Sequence, residues 1–140
     1  MKKARMYGDG GARGNPGPAG SGAVIFDLVD GEEGEVLTEI GEYFAHATNN
    51  QAEYHAIVIG LRAALDLGIT DLEVRLDSEL AVKQINGQYK VKNPILAKKF
   101  LEVHNLRQSF DKISFSHVRR EQNTHADAIV NRTIDEALGL

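Results

Sequence analysis

The spacing of apolar residues changes near residue 49, and that change does most to limit the folds open to this chain. Before it, Lys3–Asp9, Gly22–Leu28 and Glu35–Tyr43 are predicted strands joined by short turns, which makes an antiparallel meander. From Asn49 to Leu67 the apolar residues recur at helical spacing instead. Beyond that helix, predicted strands and helices alternate, so the order of elements is βββαβααβα. This order predicts an α/β fold, a five-stranded mixed sheet with helices on both faces.

The elements after residue 67 begin at local signals. Ser78 follows a short alternating strand and can cap a helix, and Pro94 suits the first turn of another. The predicted elements are a strand at Leu72–Leu76, helices at Glu79–Ile85 and Pro94–Leu106, a strand at Ile113–Val118 and a final helix at Asn123–Leu138. No repeat or linker interrupts them, so we expect a single domain over residues 1–140.

The segment Gly8–Gly20 has the most biased composition, with six glycines and two prolines among thirteen residues. Such a composition predicts tight turns and backbone positions with positive φ. The segment is not a phosphate-binding P-loop, because no Gly-Lys-Ser/Thr closes it.

Composition excludes several classes of function. Of the 140 residues, 42% are hydrophobic and 26% are charged, which is ordinary for a folded domain. The chain has no cysteine, so disulfides, thiolate metal sites and cysteine nucleophiles are excluded. No apolar run approaches the roughly 20 residues of a membrane span, and no secretory signal is recognised. We expect a soluble cytoplasmic monomer with no membrane attachment and no obligate protein partner.

The net charge of −4 argues against a nucleic-acid-binding protein, because phosphates are best neutralised by a basic surface. The charge is unevenly distributed, however. Residues 30–42 contain six acids, whereas residues 80–101 contain five lysines and no acid. The sequence therefore predicts an acidic edge and a basic edge, for which two solvated faces without a binding role are the alternative.

Two acids follow predicted strands at positions typical of ligand sites. Asp9 ends the first strand and Asp77 ends the fourth, and ligands bind at the carboxyl ends of strands in sheets of this kind. Roles in a turn or as a helix cap are the alternative explanation for both residues.

Two further acids begin apolar helical stripes. The stripes are Glu53, Ile57, Gly60 and Ala64 in one helix, and Asp127, Val130, Ile134 and Leu138 in the other. A carboxylate at the inner end of such a stripe is costly to desolvate unless a cation or a donor compensates its charge. A favourable place in the first helical turn, beside the positive end of the helix dipole, is the alternative.

Acids that repel one another can share a site when divalent cations hold them together. Hard oxygen ligands without cysteine favour Mg²⁺ or Mn²⁺. Two such ions about 3.5–4 Å apart can clamp a phosphodiester, one activating water and the other stabilising the leaving oxygen. The four acids together therefore suggest a phosphodiester hydrolase, and bound cations would offset the negative net charge.

Four segments resemble the motifs of type 1 ribonuclease H, in that family's order and spacing, and they extend over nearly the whole chain. They are Tyr7–Gly20, Thr48–Glu53, Leu76–Ser78 and Arg120–Asp127. The resemblance implies a ribonuclease H-like fold and endonucleolytic cleavage of the RNA strand of RNA–DNA hybrids. It also implies two Mg²⁺ ions, for which Mn²⁺ can substitute, and products with 5′-phosphate and 3′-hydroxyl ends. The metal-binding carboxylates it implies are Asp9, Glu53, Asp77 and Asp127.

The resemblance also assigns substrate contacts. Asn15, Asn49 and Asn50 would reach the minor groove of the hybrid, where amides can read 2′-hydroxyls and base edges. Thr48 would contact a phosphate of the DNA strand. Turns and helix caps are the alternative roles for these four residues.

The link to the fourth acid departs from the best-known bacterial members. Many of them have a longer loop with a histidine that helps product release, whereas here only Arg119–Ala126 separates Val118 from Asp127. His125 is a candidate for the histidine's role. Arg119 and Arg120, as fixed charges, are candidates to meet a phosphate instead.

Features that strengthen substrate binding in other members are also reduced. Tyr89–Asn93 stands in place of a basic insertion, and Gly8 stands where Thr, Ser or Val is more usual. We expect no separate hybrid-binding domain before Met1. We therefore expect weak binding with a strong salt dependence.

Two other functions fit the same residues. One is a hybrid- or metal-binding module without activity, against which the four intact carboxylates argue. The other is a different nuclease or a strand-transfer enzyme, because one architecture serves several chemistries.

Overall fold

A computed structural model describes residues 2–140 and has the predicted order of elements, which is confirmed. The strands are β1 (Lys3–Ala12), β2 (Gly17–Val29), β3 (Glu32–Ala47), β4 (Asp71–Leu76) and β5 (Lys112–His117). The helices are α1 (Asn49–Asp66), α2 (Glu79–Ile85), α3 (Pro94–Arg107) and α4 (Thr124–Leu138), with a 3₁₀ turn at Arg120–Gln122 before α4. The predicted helix bounds are right to within one residue, whereas β1, β2 and β3 are longer than predicted.

The five strands form one mixed sheet in the order β3-β2-β1-β4-β5. β1, β2 and β3 are antiparallel neighbours, whereas β4 runs parallel to both β1 and β5. The last pair of β1 and β4 is Gly8 with Leu76. The next residue in each segment is a carboxylate, Asp9 within β1 and Asp77 just after β4, so the register places the two side by side.

Helices cover both faces of the sheet, as predicted. Met6 is fully buried beneath α1, whose Gly60 would clash with it if a Cβ were added. α3 packs on α1 on this side. On the other face α4 lies over β1, β2 and β3, where Val130 and Ile134 are buried. Leu138 was predicted to extend that apolar stripe. It is 43% exposed, since it lies one helical turn beyond Ile134, the last residue of α4 that the sheet buries.

The glycine-rich segment is mostly strand, so the predicted tight turns and positive φ are limited to its middle. β1 continues past Asp9 to Ala12, pairing with β2 alone, and the turn is confined to residues 13–16. Within the segment only Gly14 has a positive φ, of 82°. The turn closes with a hydrogen bond that the Arg13 N–H donates to the Pro18 carbonyl at 2.8 Å.

The glycines serve close packing of helices on the strands instead. A Cβ on Gly10 would lie 2.2 Å from the carbonyl carbon of Ala52, and one on Gly22 would lie 2.9 Å from the carbonyl oxygen of Ala126. Both distances are shorter than a side chain tolerates, so α1 and α4 approach the sheet closely only because glycine stands there.

Within residues 2–140, the helices are too short or too polar for any of them to cross a membrane.

Candidate active site

An open cavity of about 310 Å³ lies at the edge of the sheet where β1 and β4 part, and all four predicted carboxylates line it. They come from four separate elements: β1, α1, the residue after β4, and α4. The lining residues are Asp9, Gly10, Gly11, Ala12, Arg13, Asn49, Glu53, Asp77, Arg120, Asp127, Val130, Asn131 and Ile134. The structure therefore brings together carboxylates that are up to 118 positions apart in the chain, Asp9 and Asp127.

Backbone packing accounts for this convergence. Gly10 follows Asp9 and touches the backbone of Ala52 and Glu53, which carries the Glu53 side chain to the cavity. Asp9 pairs with Gly22 of β2, and Gly22 touches the residue just before Asp127. The same two glycines that admit the helices thus allow Glu53 and Asp127 to come close to Asp9.

Asp9 has the more strongly perturbed carboxyl group. Burial, together with the negative charges of Asp77 and Asp127, raises the pKa of Asp9 from 3.8 to about 8. The backbone N–H of Gly10 donates a hydrogen bond to the carboxylate and partly opposes this rise. The raised pKa shows that the Asp9 carboxyl group is poorly solvated and faces other negative charges.

Glu53 is perturbed in the same direction. Burial, with a smaller contribution from the nearby charge of Asp77, raises the pKa of Glu53 from 4.5 to about 7. A hydrogen bond with the Ser78 side chain and the positive charge of Arg120 lower it. Perturbed carboxyl groups in an open cavity are typical of functional sites.

The donor set fits Mg²⁺ or Mn²⁺. Among residues 2–140, no three His, Asp or Glu side chains are arranged so that they could hold one ion unaided. Mg²⁺ does not require such a cage, since it is usually bound by one or two carboxylates together with waters and substrate phosphates. The raised pKa values of Asp9 and Glu53 show carboxyl groups that are partly buried and face other acids, and divalent cations would stabilise their ionised forms.

The predicted substrate-contacting residues gather where the β1–β2 turn meets the start of α1. Thr48 caps α1, accepting a hydrogen bond from the Gln51 N–H at 3.1 Å and donating its own N–H to the Gln51 side chain. The Asn49 side-chain oxygen accepts from the Ala12 N–H at 2.7 Å, and the Asn15 side-chain oxygen accepts from the Asn49 N–H at 3.0 Å. Asn50 is exposed. Thr48 therefore has the alternative role considered for it, that of a helix cap. Of these four residues, only Asn49 lines the cavity.

Arg120, Arg119 and His125 take different positions. Arg120, in the 3₁₀ turn, lines the cavity close to Glu53. The Arg119 backbone N–H donates to the Gln122 side chain at 3.1 Å, and Arg119 is not among the lining residues. The His125 ring contacts the Glu39 carboxylate and the edge of Phe26, with ring centroids 5.6 Å apart. It lies in a neighbouring pocket, so its position gives no support to an auxiliary role at the carboxylates.

Sequence reasoning missed three residues that support the carboxylates. Ser78 was expected only as a helix cap, yet its side chain also hydrogen-bonds Glu53. Asn123 directly precedes α4 but makes no side-chain cap bond; it is fully buried and donates to the Gly8 carbonyl at 2.9 Å. Asn131 contacts Asp127 across one helical turn. The contact of Asn131 could have been predicted from its i, i+4 spacing to Asp127. Nothing in the sequence indicated the contact between Asn123 and Gly8, which are 115 positions apart.

Comparison with known proteins gives consistent relatives. A family model described as reverse transcriptase-like matches residues 7–133. Ribonuclease HI of Halobacterium salinarum is 43% identical over 135 residues, which are 96% of this chain and 66% of that protein. The bifunctional protein Rv2228c of Mycobacterium tuberculosis is 42% identical over 96% of this chain. The chain spans only 36% of the length of Rv2228c.

Solved structures agree along nearly the whole chain. The N-terminal RNase H domain of Rv2228c superimposes with a TM-score of 0.92 at 41% identity, covering 99% of this chain and 98% of that one. LC11-RNase H1, isolated from compost, was solved in complex with an RNA/DNA hybrid. It superimposes with a TM-score of 0.88 at 44% identity, covering 96% of this chain and 99% of that one.

Fold and cavity together define a domain of the ribonuclease H-like class. Within that class the similarity of sequence and structure is specific. The chain belongs to the type 1 ribonuclease H family.

Proposed function

We propose that this protein is an endonuclease that hydrolyses the RNA strand of RNA–DNA hybrids, with residues 1–140 acting as one catalytic domain. The observation that carries the proposal is the meeting of four carboxylates from four elements in one open cavity. The names of the relatives support the reaction, and the LC11 complex supports the substrate, because that related domain was solved with an RNA/DNA hybrid. Such hybrids form inside cells, which is where we propose that the protein acts.

Asp9, Glu53, Asp77 and Asp127 would hold two Mg²⁺ ions, with Mn²⁺ able to substitute. When bound, such ions supply Lewis acidity for attack by water on a phosphodiester and charge stabilisation for the leaving oxygen. Asp9 lies within β1 and Asp77 directly follows the adjacent β4, whereas Glu53 and Asp127 approach from opposite faces of the sheet. The four groups thus surround the place that a scissile phosphate would occupy.

Neighbouring side chains are suited to orient the hybrid. Because the Asn49 side-chain oxygen is engaged by the Ala12 N–H, its amide nitrogen is the group left to donate to a 2′-hydroxyl or a base edge. Asn15 and the exposed Asn50 stand beside it. Thr48, at the start of the same helix, would meet a phosphate of the DNA strand, and such contacts to both strands would select hybrids.

Arg120 is the cationic group best placed to meet a phosphate in this cavity. Its guanidinium keeps its charge at all physiological pH values and can donate two parallel hydrogen bonds to phosphate oxygens. It also lowers the pKa of Glu53, which favours the ionised carboxylate that a metal ligand requires. Arg119, outside the cavity, would meet the substrate only at a flanking phosphate.

Cleavage of labelled nucleic acids tests the proposal. The protein is incubated with an RNA–DNA hybrid, double-stranded RNA or double-stranded DNA, in Mg²⁺, in Mn²⁺ or in EDTA. We expect cleavage of the RNA strand of the hybrid alone, abolished by EDTA. Tight hybrid binding without cleavage would indicate a binding module, and cleavage of DNA would indicate another nuclease or a strand-transfer enzyme.

The product ends distinguish metal-assisted water attack from attack by the RNA's own 2′-hydroxyl. When water attacks the phosphorus, the bond from phosphorus to the 3′-oxygen breaks. The upstream fragment then ends in a 3′-hydroxyl and the downstream fragment in a 5′-phosphate. We expect 3′ ends that a ligase can join directly. Products with 2′,3′-cyclic phosphate would contradict this mechanism.

A further inference from the structure

A polar side chain lies one helical turn after Asp127 on the same face of α4. The Asn131 side-chain nitrogen donates to one carboxylate oxygen of Asp127 at 3.3 Å and to the Asp127 backbone carbonyl at 3.2 Å. Asn131 itself lines the carboxylate cavity. A donor on one oxygen of a carboxylate restricts rotation of the whole group, because the two oxygens are then no longer equivalent.

Arg13, from the turn between β1 and β2, contacts the other end of the Asn131 amide. Its guanidinium donates to the Asn131 side-chain oxygen and to the Asn131 backbone carbonyl, both at 3.4 Å. A guanidinium has donors only, so it can face only the oxygen of an amide. Arg13 therefore fixes the amide with its oxygen toward the turn and its nitrogen toward Asp127.

Arg13 is held in turn by the next residue along the same helical face. Its other terminal nitrogen forms an ion pair with Asp135 at 2.6 Å, although both side chains are more than a third exposed. Asp127, Asn131 and Asp135 are spaced at i, i+4 and i+8, so all three lie on one side of α4. The guanidinium spans the last two and links the turn to the helix that carries the fourth carboxylate.

We propose that Asn131 and Arg13 are positioning residues that orient Asp127 for binding a divalent cation. The proposal rests on the proposed function, since it takes Asp127 to be a metal ligand. Partners that hydrogen-bond to metal ligands typically change metal affinity about 10- to 100-fold when they are removed. Asn131 acts directly on the carboxylate, and Arg13 acts through Asn131.

Cation binding without substrate tests this directly. Mn²⁺ is titrated into wild-type protein and into the variants Asn131→Ala, Arg13→Gln and the double variant, and free Mn²⁺ is read from its electron paramagnetic resonance signal. We expect the Mn²⁺ dissociation constant to rise about 10-fold for Asn131→Ala and by a smaller factor for Arg13→Gln. Because the two residues act in series, the double variant should bind Mn²⁺ no more weakly than Asn131→Ala alone.

Arg132→Gln is the matched control, because Arg132 lies on the same helix, is 58% exposed and has Glu39 as an ion-pair partner 3.9 Å away. Its Mn²⁺ affinity should equal that of wild type. Thermal unfolding without metal, followed by circular dichroism, tests each variant for folding. A merely structural role would lower the melting temperature and leave the dissociation constant of the folded protein unchanged, which would overturn the proposal.

Hybrid cleavage by the same samples separates the two proposals. The Mg²⁺ concentration for half-maximal cleavage should rise in Asn131→Ala while the KM for hybrid changes little. A higher KM with unchanged Mn²⁺ affinity would show instead that Arg13 or Asn131 touches the substrate, and the positioning role would be wrong. If wild type binds Mn²⁺ but cleaves no hybrid, the proposed function fails, whereas a wild type that cleaves with variants that bind Mn²⁺ normally refutes only the positioning role.

Discussion

The protein has two acidic regions that differ in what surrounds their carboxylates. The cavity acids, Asp9, Glu53, Asp77 and Asp127, face one another, and burial raises the pKa of two of them. The edge acids, Glu33, Glu39 and Glu42, lie along the outer strand β3, and each has a basic partner. These partners are Arg5 for Glu33 at 3.3 Å, His125 and Arg132 for Glu39, and His55 for Glu42.

This difference shows why acid content alone does not indicate a metal site. The edge acids remain at the surface and each has a side-chain partner, so nothing in their environment calls for a further cation. In the cavity Asp9 and Glu53 are partly buried, and the four carboxylates outnumber the two arginines that line it. Divalent cations are the partners that we propose for the four converging carboxylates.

The largest expected effect is on hybrid cleavage, which should depend on the cavity acids and not on the edge acids. Asp77→Asn keeps the shape of the side chain and removes its charge, so we expect hybrid cleavage to fall by about three orders of magnitude or more with little change in folding. Glu39→Gln, the same kind of change at an edge acid, should retain the wild-type rate. Single-turnover cleavage rates check both, and an Asp77→Asn protein nearly as active as wild type would refute the metal assignment.

The next effect concerns the packing that brings the cavity acids together. In Gly10→Ala the new Cβ would lie 2.2 Å from the Ala52 carbonyl carbon, so α1 must move away from β1. We expect the free energy of unfolding to fall by about 3 kcal/mol. Gly11→Ala is the matched control, because nothing lies within 4 Å of its Cβ position. Urea unfolding of the two variants measures the difference, and equal stabilities would contradict this role of Gly10.

A pH effect should arise from the cavity acids. The pKa values of Asp9 and Glu53 are about 8 and 7 in the folded protein, against 3.8 and 4.5 ordinarily. Between those limits the folded protein binds more protons than the unfolded chain, so the free energy of unfolding should fall as pH rises from about 4 to 8. We expect a loss of about 2 kcal/mol for metal-free protein, because solvent reaches the open cavity and weakens the effect.

Asp9→Asn is the variant that tests this pH effect. It should be more stable than wild type at pH 8 without metal and should have a flatter pH profile. Melting temperatures measured in EDTA from pH 5 to 8 provide the check. A wild-type stability that rises with pH over this range would contradict the expected sign.

The smallest effect concerns the edge acids themselves. Glu39→Gln removes ion pairs with His125 and Arg132 whose side chains are well exposed. We expect a change in the free energy of unfolding of less than about 1 kcal/mol, since surface ion pairs are screened by water and salt. Urea unfolding at low and high salt measures it, and a loss of several kcal/mol would mean that β3 depends on these pairs for its packing.

Much of the fold was predictable because its signals are local. Asn49–Asp66 forms a helix at almost the predicted bounds, with Thr48 as its cap, and Glu79–Ile85 is reproduced without change. The glycine-rich segment was not predictable in the same way. Glycine permits a turn and also permits close approach of another backbone, and only the positions of α1 and α4 decide between these uses.

The candidate site, too, was predictable in part from local signals. Asp9, Glu53, Asp77 and Asp127 were identified from motif order and from their places on strands and helices, and the structure brings them to one cavity. His125 was a candidate because it is two residues from Asp127, but α4 turns its ring toward Glu39 and Phe26. Two residues that are close in sequence can lie on different sides of a helix, and only the packing of the helix on the sheet decides what each side chain contacts.

The sequence by itself determined which elements form, in which order, and which four carboxylates are available, because periodicity, capping residues and motif spacing act over a few residues. Only the tertiary structure decided that Gly10 and Gly22 admit helices, that Asn123 is buried against β1, and that Arg13 and Asn131 support Asp127. These contacts join residues distant in the chain, and their energies depend on distances and burial that exist only after the sheet and helices have packed.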